Sequence, residues 1–377
     1  MRVKPWIPGI EPYKPGKPIE ELERELGIKE AVKLASNENP LGPSPRALAA
    51  IAAAAARVNR YPDGSSFKLR TKLAQRLGVA SNQLVFGCGG DEVFELMAKA
   101  FIGPGDEVVY AWPSFAMYPI VTKGMGATPV PVPLTAGLVH DLRAMRAAIT
   151  SRTRVVMICN PNNPTGTSVG RAELDAFVAS LPAEVLLLID EAYFEFVRRA
   201  DFPDALGWVA KRPGTLVIRT FSKIYGLAGL RVGYGVGDPE TIDYLERARH
   251  PFNLNLLAEE AAVAALDDAE HVARTRQGNA DGIAYLEREL HALGVATWPT
   301  DANYLLADPG VGAYDALLKQ GVIVRPLAGF GMPGHIRISI GTAEENERCV
   351  KALQAWKASA AEQRGAGDRS AAGKVPR

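Results

Sequence analysis

A chain of 377 residues with Lys+Arg 43 against Asp+Glu 42 carries a formal net charge of +1, which favours neither nucleic acid nor an anionic membrane surface as partner. Its 47% hydrophobic and 23% charged residues are those of an ordinary globular protein, long enough for a large core and a smaller second domain. Cys88, Cys159 and Cys349 are too few and too scattered for a disulfide framework or a zinc site, the five His are as dispersed, and no metal is expected.

The opening "MRVKPWIPGIEPYKPGKP" is broken by prolines and lacks the apolar core of a signal peptide, and no later run reaches the length of a membrane span. A cytoplasmic protein with no membrane partner is expected. Residues 1–40 read as an arm, partly joining the smaller domain, with one short helical pattern, "PIEELERELG", closed by Gly27. An Ala-rich helix follows at 45–58, then the turn "YPDGSS", then a helix ending at Gly78. Short apolar runs at 83–87, 107–112, 154–159, 184–190, 215–220 and 231–237 have the composition of strands buried on both faces. Between several of them lie helical segments such as 91–101, with Val93, Met97 and Phe101 on one face. This alternation predicts an α/β domain over 41–250, a mainly parallel sheet in a three-layer α/β/α sandwich. Beyond about 250 a long helical pattern leads to strands at 302–307, 323–326 and 335–340, a smaller α+β domain over 251–360 with its linking helix. Residues 361–377 lack apolar periodicity and are expected to be disordered.

Ligands of open α/β sheets bind at the carboxyl ends of the strands, and four ends here carry unusual residues. "GCGGDE" follows the first run, "NPNNPTG" the third, Asp190 closes the fourth, and Ser222 and Lys223 follow the fifth. Each has a plain reading of its own. The glycine stretch can be a tight turn with Asp91 as N-cap, "NPNNPTG" a Pro/Asn turn, and Asp190 a helix cap. A G-x-G-x-x-G at Gly329, Gly331 and Gly334 precedes a strand instead of opening a helix, so it is no dinucleotide site.

Lys223 decides between these readings. A desolvated amine at a strand end is a nucleophile suited to an aldehyde, and the aldehyde cofactor pyridoxal 5′-phosphate asks a protein for four groups. It needs an amine, a carboxylate for its ring nitrogen, a donor for its phenolate oxygen and an anion site for its phosphate. Lys223, Asp190, Asn163 and the "GCGGD" turn supply one each, with Ser222 and Arg231 added at the phosphate.

With these residues in place the sequence resembles the fold type I pyridoxal-phosphate aminotransferases, and within them the histidinol-phosphate aminotransferase subgroup. The stretches that carry the resemblance are "LASNENPLGPSP", "RYPDG", "GCGGDE", "NPNNPTG", "IDEAYFEF", "RTFSKIYGLAGLRVGY", "ANYLL", "VIVRPL" and "IRISIGTAEEN", spread over about residues 5 to 357. The resemblance implies that Lys223 carries the cofactor and moves the substrate's proton, and that Asp190 keeps the ring nitrogen protonated. It implies Asn163 and Tyr193 at the phenolate oxygen and Phe115 on the ring face. Gly89, Gly90, Asp91, Ser222 and Arg231 would hold the phosphate, joined by Tyr61 from the other subunit of a homodimer. Arg337 would grip the anionic end of the substrate, with Tyr13, Asn39 and Arg325 as further contacts. The plain readings are a core aromatic for Phe115, a locally packed turn residue for Tyr61, a cap of helix carbonyls for Arg231 and a surface strand residue for Arg325.

The chain departs from the subgroup's usual pattern at Gly90, often Ser or Ala, and at Phe115, often Tyr. The implied activity is amino transfer between histidinol phosphate and 2-oxoglutarate. "AWPSFAMYP" (111–119) also resembles the branch that transaminates phenylalanine and tyrosine, which stays as the alternative. A decarboxylase of the same fold is more remote. So is a non-catalytic cofactor-binding regulator, since no basic helix-turn-helix precedes residue 30.

Overall fold

The structure, a computed structural model, describes residues 2–372, with side chains to residue 359. In chain order its strands are β1 (Val32–Leu34), β2 (Leu84–Gly87), β3 (Glu107–Trp112), β4 (Thr128–Pro133), β5 (Thr153–Cys159), β6 (Leu186–Asp190), β7 (Thr215–Thr220), β8 (Gly233–Gly237), β9 (Ala296–Thr297), β10 (Tyr304–Asp308), β11 (Val322–Pro326) and β12 (Ile336–Ser339). The chain forms two compact units. The first comprises the chain up to Lys14, Glu38–Gln277 and Pro299–Asn303; the second comprises Pro15–Asn37, Gly278–Trp298 and the described chain from Tyr304 onward.

The first unit is built on a seven-stranded sheet in the order β2-β8-β7-β6-β5-β3-β4. Every residue of β6 and β7 is buried, as strands with helices on both faces require. Successive residues feed different cores, as the two-residue period of a strand dictates. Leu188, Leu216 and Met157 pack with Val93, Met97 and Tyr118 on one face, while Leu187, Ile189 and Val217 pack with Phe177 and Trp208 on the other. At about 1.5–3 kcal/mol for each large apolar side chain buried, these two layers dominate the stability of the unit.

Two strands stand apart from the rest of the sheet. β4 is "TPVPVP", with prolines that cannot donate to a ladder, and it lies at the sheet edge paired only with β3. β8 is antiparallel to both neighbours because the 221–232 connection from β7 contains no helix that could make a parallel crossover. Since β8 opposes both β7 and β2, those two run the same way. The carboxyl ends of β2, β5, β6 and β7 therefore share one edge.

In the second unit a five-stranded sheet runs β1-β11-β12-β10-β9, with β1 parallel to β11 and the other pairs antiparallel. Ile283, Leu286, Leu290 and Leu353, from the helices Ala269–Ala292 and Ala343–Ala372, pack with Leu305 and Ile338 of the sheet. The boundary expected at 250/251 falls at Gln277/Gly278 instead, because the helix Leu256–Ala265 packs on the helix Pro45–Ala55 within the first unit. Residues 373–377, the end of the stretch expected to be disordered, lie outside the described residues; helical backbone continues to Ala372. Among the described residues no helix is long and apolar enough to cross a membrane.

Candidate active site

After β2 the chain turns at Gly89, whose φ of +78° suits glycine, and the 12-residue helix Gly90–Phe101 begins. Gly89 is the N-cap, so Asp91 is not the cap that the simplest sequence reading made it. Arg231, itself left-handed at φ +59°, lies against this turn: a Cβ on Gly89 would stand 2.4 Å from its Nη2. Nη2 donates to Asp91 Oδ2 at 3.0 Å and Nη1 to the Ala228 carbonyl at 3.2 Å. Ser222 is buried beside Thr220, whose hydroxyl donates to Ser222 Oγ at 3.0 Å. Helix N–H groups, a guanidinium and a hydroxyl are donors of the kind an anion takes.

Asp190 closes β6 and is 3% exposed. Its Oδ1 accepts the Ala192 N–H at 3.0 Å, and its Oδ2 accepts the Tyr118 hydroxyl at 3.0 Å and the Cys159 thiol at 3.7 Å. Burial pushes its carboxyl up to about 6, with the nearby Asp91 charge adding to the rise, against the pull of those three donors. Lys223, half-buried just past β7, has its Nζ 5.8 Å from the centroid of the buried Tyr193 ring. Asn39 anchors the next residue: its Nδ2 donates to the Ile224 carbonyl at 2.9 Å and to Thr275 Oγ1 at 3.2 Å.

The "NPNNPTG" loop that carries Asn163 is braced from within. Asn162 Oδ1 accepts the Ser114 hydroxyl at 2.7 Å, and its Nδ2 donates to Thr165 Oγ1 at 2.9 Å and to the Pro113 carbonyl at 3.1 Å. The loop is thereby tied to the one that carries Phe115. Phe115 is half-buried against Phe94 and Tyr118, with centroids 5.9 and 5.8 Å away.

Lys223, Asp190, Tyr193, Asn163, Phe115, Gly89, Gly90, Asp91, Ser222 and Arg231 thus gather at one edge of the seven-stranded sheet. Tyr61 does not join them: it is 82% exposed and stacks on Phe252 at 4.8 Å. Tyr13 belongs to the first unit and is exposed. Arg325 and Arg337 belong to the second unit, directly opposite each other on β11 and β12. Arg337 is 8% exposed, lies 5.2 Å from the Tyr304 ring centroid and donates to the Ala35 carbonyl at 2.6 Å.

Two features of the site escaped the sequence reading. Tyr118 and Cys159 hold Asp190, and a buried ion pair joins the ends of β6 and β7. In that pair Arg219 donates to Glu191 Oε2 through Nε at 2.9 Å and Nη2 at 2.7 Å, and its guanidinium lies 3.7 Å from the Phe194 ring centroid. The register that pairs Asp190 with Ile218 brings the following residues, Glu191 and Arg219, side by side. A fully charged residue within the otherwise apolar "TLVIRT" was the available signal.

Comparison with known proteins agrees with this geometry. The family model described as aminotransferase class I and II matches residues 29–353. Histidinol-phosphate aminotransferase 1 of Nitrosococcus oceani is 49% identical over 351 residues, covering 92% of this chain and 95% of its own. Histidinol-phosphate aminotransferase 2 of Pseudomonas aeruginosa is 50% identical over 355 residues, covering 93% and 96%. Among solved structures, the histidinol-phosphate aminotransferase of Sinorhizobium meliloti in complex with pyridoxal-5′-phosphate superposes with a TM-score of 0.87 at 29% identity, over 95% of this chain and 98% of that one. Family model, relatives and strand-end site coincide, and the chain belongs to the class I and II aminotransferase family.

Proposed function

We propose that this enzyme uses pyridoxal 5′-phosphate to move an amino group between histidinol phosphate and 2-oxoglutarate, with imidazole-acetol phosphate and glutamate as the other pair, in histidine biosynthesis. The observation that carries the chemistry is the half-buried amine of Lys223 at the same sheet edge as the buried carboxylate of Asp190. The choice of donor rests on the relatives, 49% and 50% identical over almost the whole chain, that bear that substrate in their names.

The residues present fit the cofactor. Gly89 lacks the Cβ that would push the Arg231 guanidinium off the start of the helix, and the buried carboxyl of Asp190 is one that a cationic ring nitrogen would satisfy. When bound, the cofactor draws electrons away from the donor's Cα. Lys223 Nζ would hold the aldehyde end and, once the donor's amine has displaced it there, would be free to move the Cα proton, while Asp190 would keep the ring nitrogen's proton in place. Asn163 and Tyr193 orient the phenolate oxygen, and Phe115 packs on the ring. Backbone N–H groups at Gly90 and Asp91, with Ser222 and Arg231, hold the phosphate. Burial of Ser222, Asp190 and Tyr193 keeps water from competing for these contacts. Arg337, with Arg325, Tyr13 and Asn39, takes the anionic end of donor and acceptor in turn.

On the same reading the enzyme is a homodimer in the cytoplasm. Val58, Tyr61 and Phe67 are 61%, 82% and 66% exposed, an apolar surface suited to a second copy, and Tyr61 reaches the neighbour's phosphate site. A donor panel of histidinol phosphate, phenylalanine, tyrosine and aspartate, read as glutamate formed from 2-oxoglutarate, tests the assignment. Histidinol phosphate is expected to have a kcat/KM at least about tenfold above the others. Preference for phenylalanine or tyrosine would move the function to aromatic amino acids, and carbon dioxide release would make the enzyme a decarboxylase.

A further inference from the structure

We propose that Tyr118 is a positioning residue for the reaction: its buried hydroxyl, donated to Asp190 Oδ2, fixes the orientation of that carboxylate and favours its ionised form. The inference rests on the cofactor reading above, because Asp190 matters to the reaction only through a ring nitrogen that it must pair with.

Three observations carry it. First, Tyr118 has no exposed surface, and a buried hydroxyl is costly unless it is paired, so a position that needed only volume would suit phenylalanine. Its partner is Asp190 Oδ2, at 3.0 Å. Second, the ring is held on three sides. It meets Phe115 edge-on at 5.8 Å and 89°, Tyr110 at 5.9 Å and 62°, and Phe94 at 5.6 Å, so the hydroxyl has little freedom to leave. Third, Asp190 is pinned from both oxygens, Oδ1 by the Ala192 N–H and Oδ2 by Tyr118 and the weaker Cys159 thiol.

The groups that face Asp190 come from four elements: Tyr118 from the helix Met117–Gly124, Cys159 from the end of β5, Asp91 from the helix Gly90–Phe101, and the Ala192 N–H from its own loop. Burial and Asp91 favour the protonated acid, and the three donors favour the anion. A hydrogen bond to an ionised acceptor is roughly twice as strong as one between neutral groups, so Tyr118 weighs on this balance more than a packing residue would. The loop before this helix and the helix's first turn would then serve the cofactor from two sides, with Phe115 on the ring face and Tyr118 behind its nitrogen's partner.

The test is a carboxyl carbon NMR titration of the full chain freed of cofactor, with the Asp190 signal identified by its loss in Asp190→Asn. In Tyr118→Phe the Asp190 titration is expected to move up by about one pH unit or more, and the dissociation constant for pyridoxal phosphate at neutral pH to rise about twofold or more, the gap narrowing in alkali as the carboxyl ionises. Tyr118→3-fluorotyrosine, a stronger donor of nearly the same shape, is expected to move the titration down, and it serves if the phenylalanine variant does not fold. An unchanged Asp190 titration would overturn the proposal. Failure of the native protein to bind pyridoxal phosphate would overturn the cofactor reading, and with it the role in the reaction, whatever the titration shows.

Discussion

Glu195 keeps a buried oxygen, Oε2, without a hydrogen-bond partner, and burial pushes its carboxyl up to about 7. Its folded pKa lies above the unfolded value of 4.5, so its contribution to stability is present below 4.5 and is lost as pH rises through about 7. His140, lowered to about 4 by burial, acts oppositely as pH rises from 4 to 6.5, so the variant difference is the cleaner readout. Glu195→Gln should gain on the native protein between pH 4.5 and 7, by at most about 1.4 kcal/mol per pH unit, and level off above. Urea unfolding of both proteins across that range measures it, and a pH-independent gap would contradict the assignment. Arg337 makes a second prediction at this scale. A planar guanidinium clamps a carboxylate or a phosphate through two bonds where lysine offers a point charge. Arg337→Lys should therefore slow both half-reactions by about tenfold or more, about 1.4 kcal/mol, while cofactor affinity holds. Loss of thermal stability and cofactor together would show a structural role instead. The strand-end placement of Lys223, Asp190 and Asn163 was legible in the sequence because each lies at or just past an apolar run. Tyr118 was not, since it stands 72 residues from Asp190 and only the folded chain brings them together.

Strand β8 is where the elements press closest on the site. A Cβ on Gly233 would stand 2.5 Å from the Gly90 nitrogen and 2.7 Å from the Gly89 carbonyl carbon, backbone atoms that cannot swing aside. Gly233→Ala should displace the start of the helix Gly90–Phe101, lowering stability by about 1–3 kcal/mol and weakening cofactor binding with it. Calorimetry and a binding titration on one preparation check both effects, and unchanged cofactor affinity would mean that the turn tolerates the shift. The apolar runs revealed most strands of the first unit because buried parallel strands are continuously hydrophobic. They did not reveal β4, whose prolines hide an edge strand, or the direction of β8, which depends on a connection too short to hold a crossover helix. The ion pair of Glu191 and Arg219 was hidden for a related reason, since its register exists only once β6 lies beside β7.

For the whole molecule the account predicts an active unit of two chains, each of 40.4 kDa, with Tyr61 completing the neighbour's site. Tyr61→Ala and Lys223→Ala chains, each impaired alone, should regain activity when refolded together, because one site of the mixed dimer then has both residues intact. A verified mixed dimer without activity would place Tyr61 outside the shared site. The central claim is that Lys223, at its strand end, is the residue that carries the cofactor. Borohydride reduction of the protein loaded with pyridoxal phosphate, followed by peptide mapping, tests this most directly. A single pyridoxyl label on Lys223, lost in Lys223→Ala, is expected; a label on any other lysine, or none, would rule Lys223 out.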